Sequence, residues 1–273
     1  MFAHNVMDGN SYSGQFVRLD ADIDITREVG YNDTKPFSGT FLGNNHTITA
    51  TITSYYQGAA PFNCVSGATI KNLTVAGTIT TNQRHSSALV GFAYGTNLIE
   101  GCTVTATINT STDYTGGFLG HGMTSATTIK DCIFAGAING VGGGRPNVGV
   151  FWGWSDSATP TLQNCLEKGT YTNVASMHPI GLQGGSGTIT DCYYLNPQKG
   201  SPSNACTVSG AYRVYADTPV NEIYHGLTAV DGNNYYIVCP VSGIAETYDL
   251  TQGISITPVV TDHANTLVLG THY

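Results

Sequence analysis

Trp152 and Trp154 are the only tryptophans in the 273-residue chain, and they stand two residues apart. In a strand, such a pair shares one face. Under the repeat described below, Phe92 and His121 take the place of Trp154 on the two preceding units. The pattern therefore predicts a column of rings: Phe92, His121, Trp154. Rings present flat apolar faces with a polar handle, which is the chemistry of stacking on sugars. A Gly-rich excursion at 141–147 precedes the tryptophans and brings Arg145 in as a further candidate ligand contact. The competing reading packs one or both tryptophans in the core or beneath that loop.

Acids come next. Glu167 falls where Val75, Val104 and Phe134 point inward on other units. A buried, unpaired carboxylate is costly and its pKa rises. Glu167 should thus pair with Lys168 or Arg145, or the register should change locally, and it is the one acid with catalytic potential. Asp131 and Asp191 recur two units apart, roughly 10 Å, close to the spacing of an inverting glycosidase pair, about 6.5–9.5 Å. Asn72 and Asn164 in the same column point instead to a turn position, where Asn and Asp tolerate left-handed backbone. Asp20, Asp22 and Asp24 alternate with Leu19, Ala21, Ile23 and Ile25. One face carrying three hard oxygens is a candidate calcium set, with a solvated polar face as the alternative. No other cofactor is expected.

Cys102, Cys132, Cys165 and Cys192 occupy one position on successive units, with Leu73 in the same slot one unit earlier. That leucine favours a stack of small buried hydrophobes over a metal ladder, and the C-x₂₋₄-C spacing of zinc sites is absent. Cys206 and Cys239 are a possible disulfide pair. Lys71, Glu100 and Lys130 form an outward column of alternating charge, suited to cross-strand pairing.

These columns rest on an internal repeat, which is sought before secondary structure. Ile70-Lys71-Asn72-Leu73, Ile99-Glu100-Gly101-Cys102, Ile129-Lys130-Asp131-Cys132, Leu162-Gln163-Asn164-Cys165 and Ile189-Thr190-Asp191-Cys192 start 29, 30, 33 and 27 positions apart. A second landmark reads Ala88-Leu89-Val90-Gly91, Gly117-Phe118-Leu119-Gly120, Val150-Phe151-Trp152-Gly153 and His178-Pro179-Ile180-Gly181. Within a unit, apolar and Thr residues alternate, as in Cys102 to Ile108, which is the period of a strand. A leucine-rich repeat would need a dense Leu pattern that is missing. Such units stack into a parallel β-helix of five to six coils of about 27–33 residues. Phe2, Val6 and Met7 suit one face of a short N-terminal capping helix. Beyond 200 the register is lost, so the chain divides into a β-helix over 1–200 and a small C-terminal β segment over 201–273, which either caps the helix or begins the next module of a longer chain.

Composition narrows the partners. Charged residues make up 10% of the chain and the formal charge is -8. Nucleic acid would require a basic face, and none is present. No run approaches the 18 apolar residues of a membrane span, and the opening residues lack the basic and apolar regions of a signal peptide.

One stretch is more specific. Pro36-Phe37-Ser38-Gly39-Thr40-Phe41-Leu42-Gly43-Asn44-Asn45-His46-Thr47-Ile48, the upstream Leu19–Ile25 strand and Gly116–Gly120 followed by Thr128–Cys132 resemble the GLUG-repeat regions of large bacterial surface proteins. The resemblance spans roughly residues 1–196. It departs at Leu42, where an acid is usual, and around 140–172. It implies a right-handed β-helix in a secreted or cell-surface, often adhesin-like, protein, with no catalytic residues to carry over. In that context His46 is a turn hydrogen-bonder, and Asn32, Asn45, Asn72 and Asn109, each in a glycosylation sequon, read as turn asparagines. The leading expectation is a non-catalytic module that binds a glycan or host ligand or acts as a spacer. The alternative is a polysaccharide lyase or glycoside hydrolase, for which 10 Lys and Arg offer a poor basic groove.

Overall fold

Alternation sets the strands. In Thr47–Ser54 the side chains of Ile48, Ala50 and Ile52 are buried, while Thr51 and Thr53 face outward. Thr74–Thr81 repeats this with Val75 and Ile79, and Thr107–Thr110 with Ile108. β-Branched side chains at period two suit a pleated, half-buried surface. Each coil leaves its edges open, so the coils stack.

The computed structural model describes residues 1–181, 187–196 and 199, and, beyond them, six short strands between 211 and 267. The described residues of the unit Met1–Ala211 form a parallel β-helix of about six coils. Register follows the repeat: Phe41, Ile70, Ile99, Ile129, Leu162 and Ile189 are successive partners along one sheet. Val90, Leu119 and Trp152 align likewise. A second sheet carries Val75, Val104, Phe134 and Glu167 in one row, and a third is built from Thr115–Gly116, Asn147–Gly149 and Ser176–His178. The unit Tyr212–Tyr273 contains antiparallel pairings, such as Val214 with Ile237 and Val260 with Leu267. Among the described residues no helix is long and apolar enough to cross a membrane.

The N-terminal helix Phe2–Met7 covers the first coil. Val6 is wholly buried, and the Phe2 ring meets Tyr12, Phe37 and Phe41 at 5.1, 5.5 and 5.8 Å.

The turn column is made of Asn72, Gly101, Asp131, Asn164 and Asp191, all left-handed, with φ between 49° and 63°. Only short polar side chains and glycine adopt that backbone cheaply. Asn164 Nδ2 donates to Asp131 Oδ1 at 2.7 Å. Asp131 and Asp191 thus hold the turn position that Asn72 and Asn164 also hold, as the turn reading of the column expects. Asn32 and Asn45 are left-handed as well. Asn109 is not a turn residue: it lies in Thr107–Thr110, where its Oδ1 accepts from Asn139 Nδ2 at 3.2 Å.

Outside, Glu100 receives Lys71 at 2.6 Å and Lys130 at 2.7 Å. Inside, Cys102, Cys132, Cys165 and Cys192 are buried and free. Their thiols donate to the carbonyls two residues earlier, for example Cys132 to Lys130 at 3.1 Å and Cys165 to Gln163 at 3.3 Å. Burial pushes the thiols of Cys132 and Cys192 well up, so they stay protonated. Cys206 and Cys239 lie outside the described residues. Ile133, Leu166 and Tyr193, outward by register, are nonetheless buried.

Candidate functional site

The two tryptophans do not share a face. Period two slips by one at the landmark glycines. Val90, Leu119 and Trp152 point into the coil, and so do Ala93, Gly122 and Ser155 three residues later. Trp152 is wholly buried, and its ring fills the space where a side chain on Gly122 would stand. Its Nε1 donates to the Trp154 carbonyl at 2.7 Å. Trp152 is thus a core residue with no face for a ligand, which corrects the sequence expectation. The slip turns the next column outward. Phe92, His121 and Trp154 are in register on successive coils, with Phe92 and Trp154 half-buried and His121 buried.

A second column interleaves with this one. His85 and Tyr114 sit in turns with φ of 64° and 65°. Their carbonyls lie against the landmark glycines Gly120 and Gly153, where a Cβ would collide with the backbone. That close approach aims both rings at the neighbouring column. His85 stacks on His121 at 4.2 Å and meets Phe92 at 5.6 Å, and Tyr114 lies 4.4 Å from Trp154. Gly58 holds the corresponding turn position below, and Phe92 covers it. The outcome is one continuous network of rings across several coils, with His85 and His121 buried within it and Phe92 and Trp154 half-buried at its surface, called the ring surface below. Sequence reasoning found only half of it. The missed signal was present: His85 and Tyr114 are 29 residues apart, each six before a landmark glycine.

Polar groups frame the upper end. Asp156 receives Trp154 Nε1 at 2.9 Å on one oxygen and approaches His121 Nε2 at 3.1 Å with the other. These contacts hold its carboxyl below the usual carboxylate range, the Trp154 bond contributing most. The Arg84 guanidinium lies 5.5 Å from the Tyr114 ring centroid, a cation–π distance. Burial drives His85 down to about 3, with neighbouring His121 and Arg84 adding to the effect. His121 is lowered by burial too, against the pull of Asp156. The Nδ1 atoms of both histidines lack partners among the described residues. Arg145 is exposed on its loop and makes no ion pair among the described residues.

Glu167 keeps its inward register, between Phe134 and Tyr194, and is fully buried. The register does not change locally. Instead Oε1 accepts from Gly169 N at 2.8 Å, Tyr171 Oη at 2.7 Å and Asn196 Nδ2 at 2.9 Å, and Oε2 accepts from Asn196 N at 3.1 Å. Burial still raises its carboxyl above the ordinary value, against these four donors. Fully buried and held by four donors, the side chain is closed off from solvent and from a substrate at the surface.

The calcium set does not gather. Asp20 pairs with Arg18 at 2.8 Å, while Asp22 takes Thr47 N at 2.9 Å and His46 Nδ1 at 3.1 Å. Of the three, only Asp24 lies in a strand, Ile23–Ile25. Among the described residues no three His, Cys, Asp or Glu side chains come together as metal ligands.

No family model matches the chain, and no curated protein matches it. A solved structure from Bacteroides ovatus, described as a "putative immunoglobulin A1 protease", is similar at 15% identity and a TM-score of 0.49, over 77% of this chain and 81% of that one. So faint a likeness adds nothing to the reading of the site.

Proposed function

We propose that this chain is a non-catalytic, adhesin-like module of a bacterial cell surface, and that it binds glycan on the ring surface around Trp154. One observation carries the reading. Trp154 is half-exposed, anchored by Asp156 through its indole N–H, and backed by Tyr114 at 4.4 Å. A ring fixed at both its edge and its face loses little freedom when a sugar stacks on it. Asp156 at the Trp154 edge and Arg84 at the Tyr114 ring offer an acceptor and a donor for sugar hydroxyls. The GLUG resemblance and the extracellular setting it implies agree with this. The lyase or hydrolase alternative needs acids free to act, and the acids singled out above are engaged elsewhere: Glu167 in its buried network, Asp131 in a turn.

A glycan array probed with the intact protein, Trp154→Ala and Tyr114→Ala tests the proposal. Binding that both variants lose supports it. Binding that both retain, or silence from all three proteins, overturns it.

A further inference from the structure

A cleft of about 500 Å³ opens between the first two coils, apart from the ring surface. That is the size of a small-ligand site. Tyr55 and Tyr56 stand at it, 73% and 62% exposed. With Met1, Phe16 and Ile23 they are the exposed large hydrophobic side chains among the described residues. Tyr31 meets Tyr56 edge-on, with ring centroids 5.8 Å apart and planes at 89°, which fixes the orientation of the Tyr56 face. Aromatic pairs favour that edge-to-face arrangement.

Two consecutive residues of opposite character line the same cleft. Glu28 accepts from the Ala60 amide at 3.3 Å, from Asn63 Nδ2 at 3.5 Å and from the Ser54 hydroxyl, three donors for a carboxyl group with about four acceptor sites. Burial pushes its carboxyl up to about 7, against the pull of the Ser54, Ala60 and Asn63 donors. Arg27, exposed beside it on the cleft wall, makes no ion pair among the described residues. An exposed ring sharing one cleft with an acceptor and a donor matches a pyranose, whose vicinal hydroxyls both donate and accept.

We propose that this cleft is a second, independent carbohydrate site, taking a neutral pyranose with its face on Tyr56 and adjacent hydroxyls on Glu28 and Arg27. The residues are distinct from those of the ring surface, so either site can stand without the other.

The test is saturation-transfer NMR on the intact protein with the methyl glycosides of glucose, galactose and mannose at millimolar concentration. The expected result is transfer to the ring-face protons of at least one sugar. In the Trp154→Ala background, which removes the ring surface, Tyr56→Ala abolishes it, and Glu28→Gln weakens affinity about tenfold, because the amide presents one acceptor oxygen where the carboxyl group presents two. Trp154→Ala alone retains it. Tyr56 is exposed, so its variant keeps the fold, as a thermal melt will show; Tyr55→Ala provides a second exposed substitution at the same wall. No transfer to any of the three sugars, or transfer in the Trp154→Ala background that survives Tyr56→Ala, overturns the proposal. Loss in Trp154→Ala alone assigns the binding to the ring surface and also overturns it.

Discussion

The imidazoles of His85 and His121 stack with centroids 4.2 Å apart, one borne on a left-handed turn and the other on the strand of the next coil. Two buried neutral rings in contact make the fold sensitive to acid. The folded pKa of His85 is depressed to about 3 from 6.5. Between those values the unfolded chain binds the proton that the folded chain refuses. The contribution is therefore complete above pH 6.5 and is lost as pH falls. At pH 5 the loss from His85 is about 2 kcal/mol. Urea unfolding at pH 7 and pH 5 will show it. His85→Asn, which keeps a residue tolerant of left-handed backbone, should flatten the dependence; an unchanged slope would acquit His85.

Glu28 acts with the opposite sign. Its folded pKa is raised from 4.5 to about 7, so its contribution is complete below pH 4.5 and is lost as pH rises through 7. The full swing is about 3 kcal/mol. Glu28→Gln should therefore gain relative stability over wild type as pH rises from 5 to 8 in the same urea series. Parallel curves for the two proteins would refute this.

Gly122 faces the Trp152 indole with no space for a methyl group. Gly122→Ala should cost about 1–3 kcal/mol by overpacking. It should also shift the buried-tryptophan emission to the red as the ring is displaced. A melt and spectrum identical to wild type would show that the ring can move aside freely.

Glu167 is structural, and its variants should rank accordingly. Glu167→Ala leaves the buried donors of Tyr171 and Asn196 unmatched and opens space, for a loss of about 3–5 kcal/mol. Glu167→Gln keeps one acceptor oxygen, turns an amide toward Asn196 N, and should lose about 1–2 kcal/mol. Denaturant midpoints decide the order, and equal midpoints for wild type and Glu167→Ala would sink the assignment.

The fold was legible because its landmarks are one-dimensional. Ile70, Ile99, Ile129, Leu162 and Ile189 mark the period in the chain and stand in register in space. Counting also placed Phe92, His121 and Trp154 in one column. It misplaced Trp152, because strict alternation was assumed through Gly153 while the backbone there slips by one. His85 and Tyr114 escaped notice because a turn carries no hydrophobic period, although they keep the repeat spacing. The Glu28 cleft was invisible for another reason: Arg27–Tyr31 and Ser54–Tyr56 belong to different coils and share no motif.

The vertical stacking has a mechanical side. Hydrogen bonds between coils run along the axis of the helix, from Thr107 through Ala137 to Thr170, for example. A pull along that axis loads them end-on and one layer at a time, so coils would peel off in sequence instead of yielding together. Each release of about 30 residues would pay out roughly 100 Å of chain, making the module an extensible tether under tension.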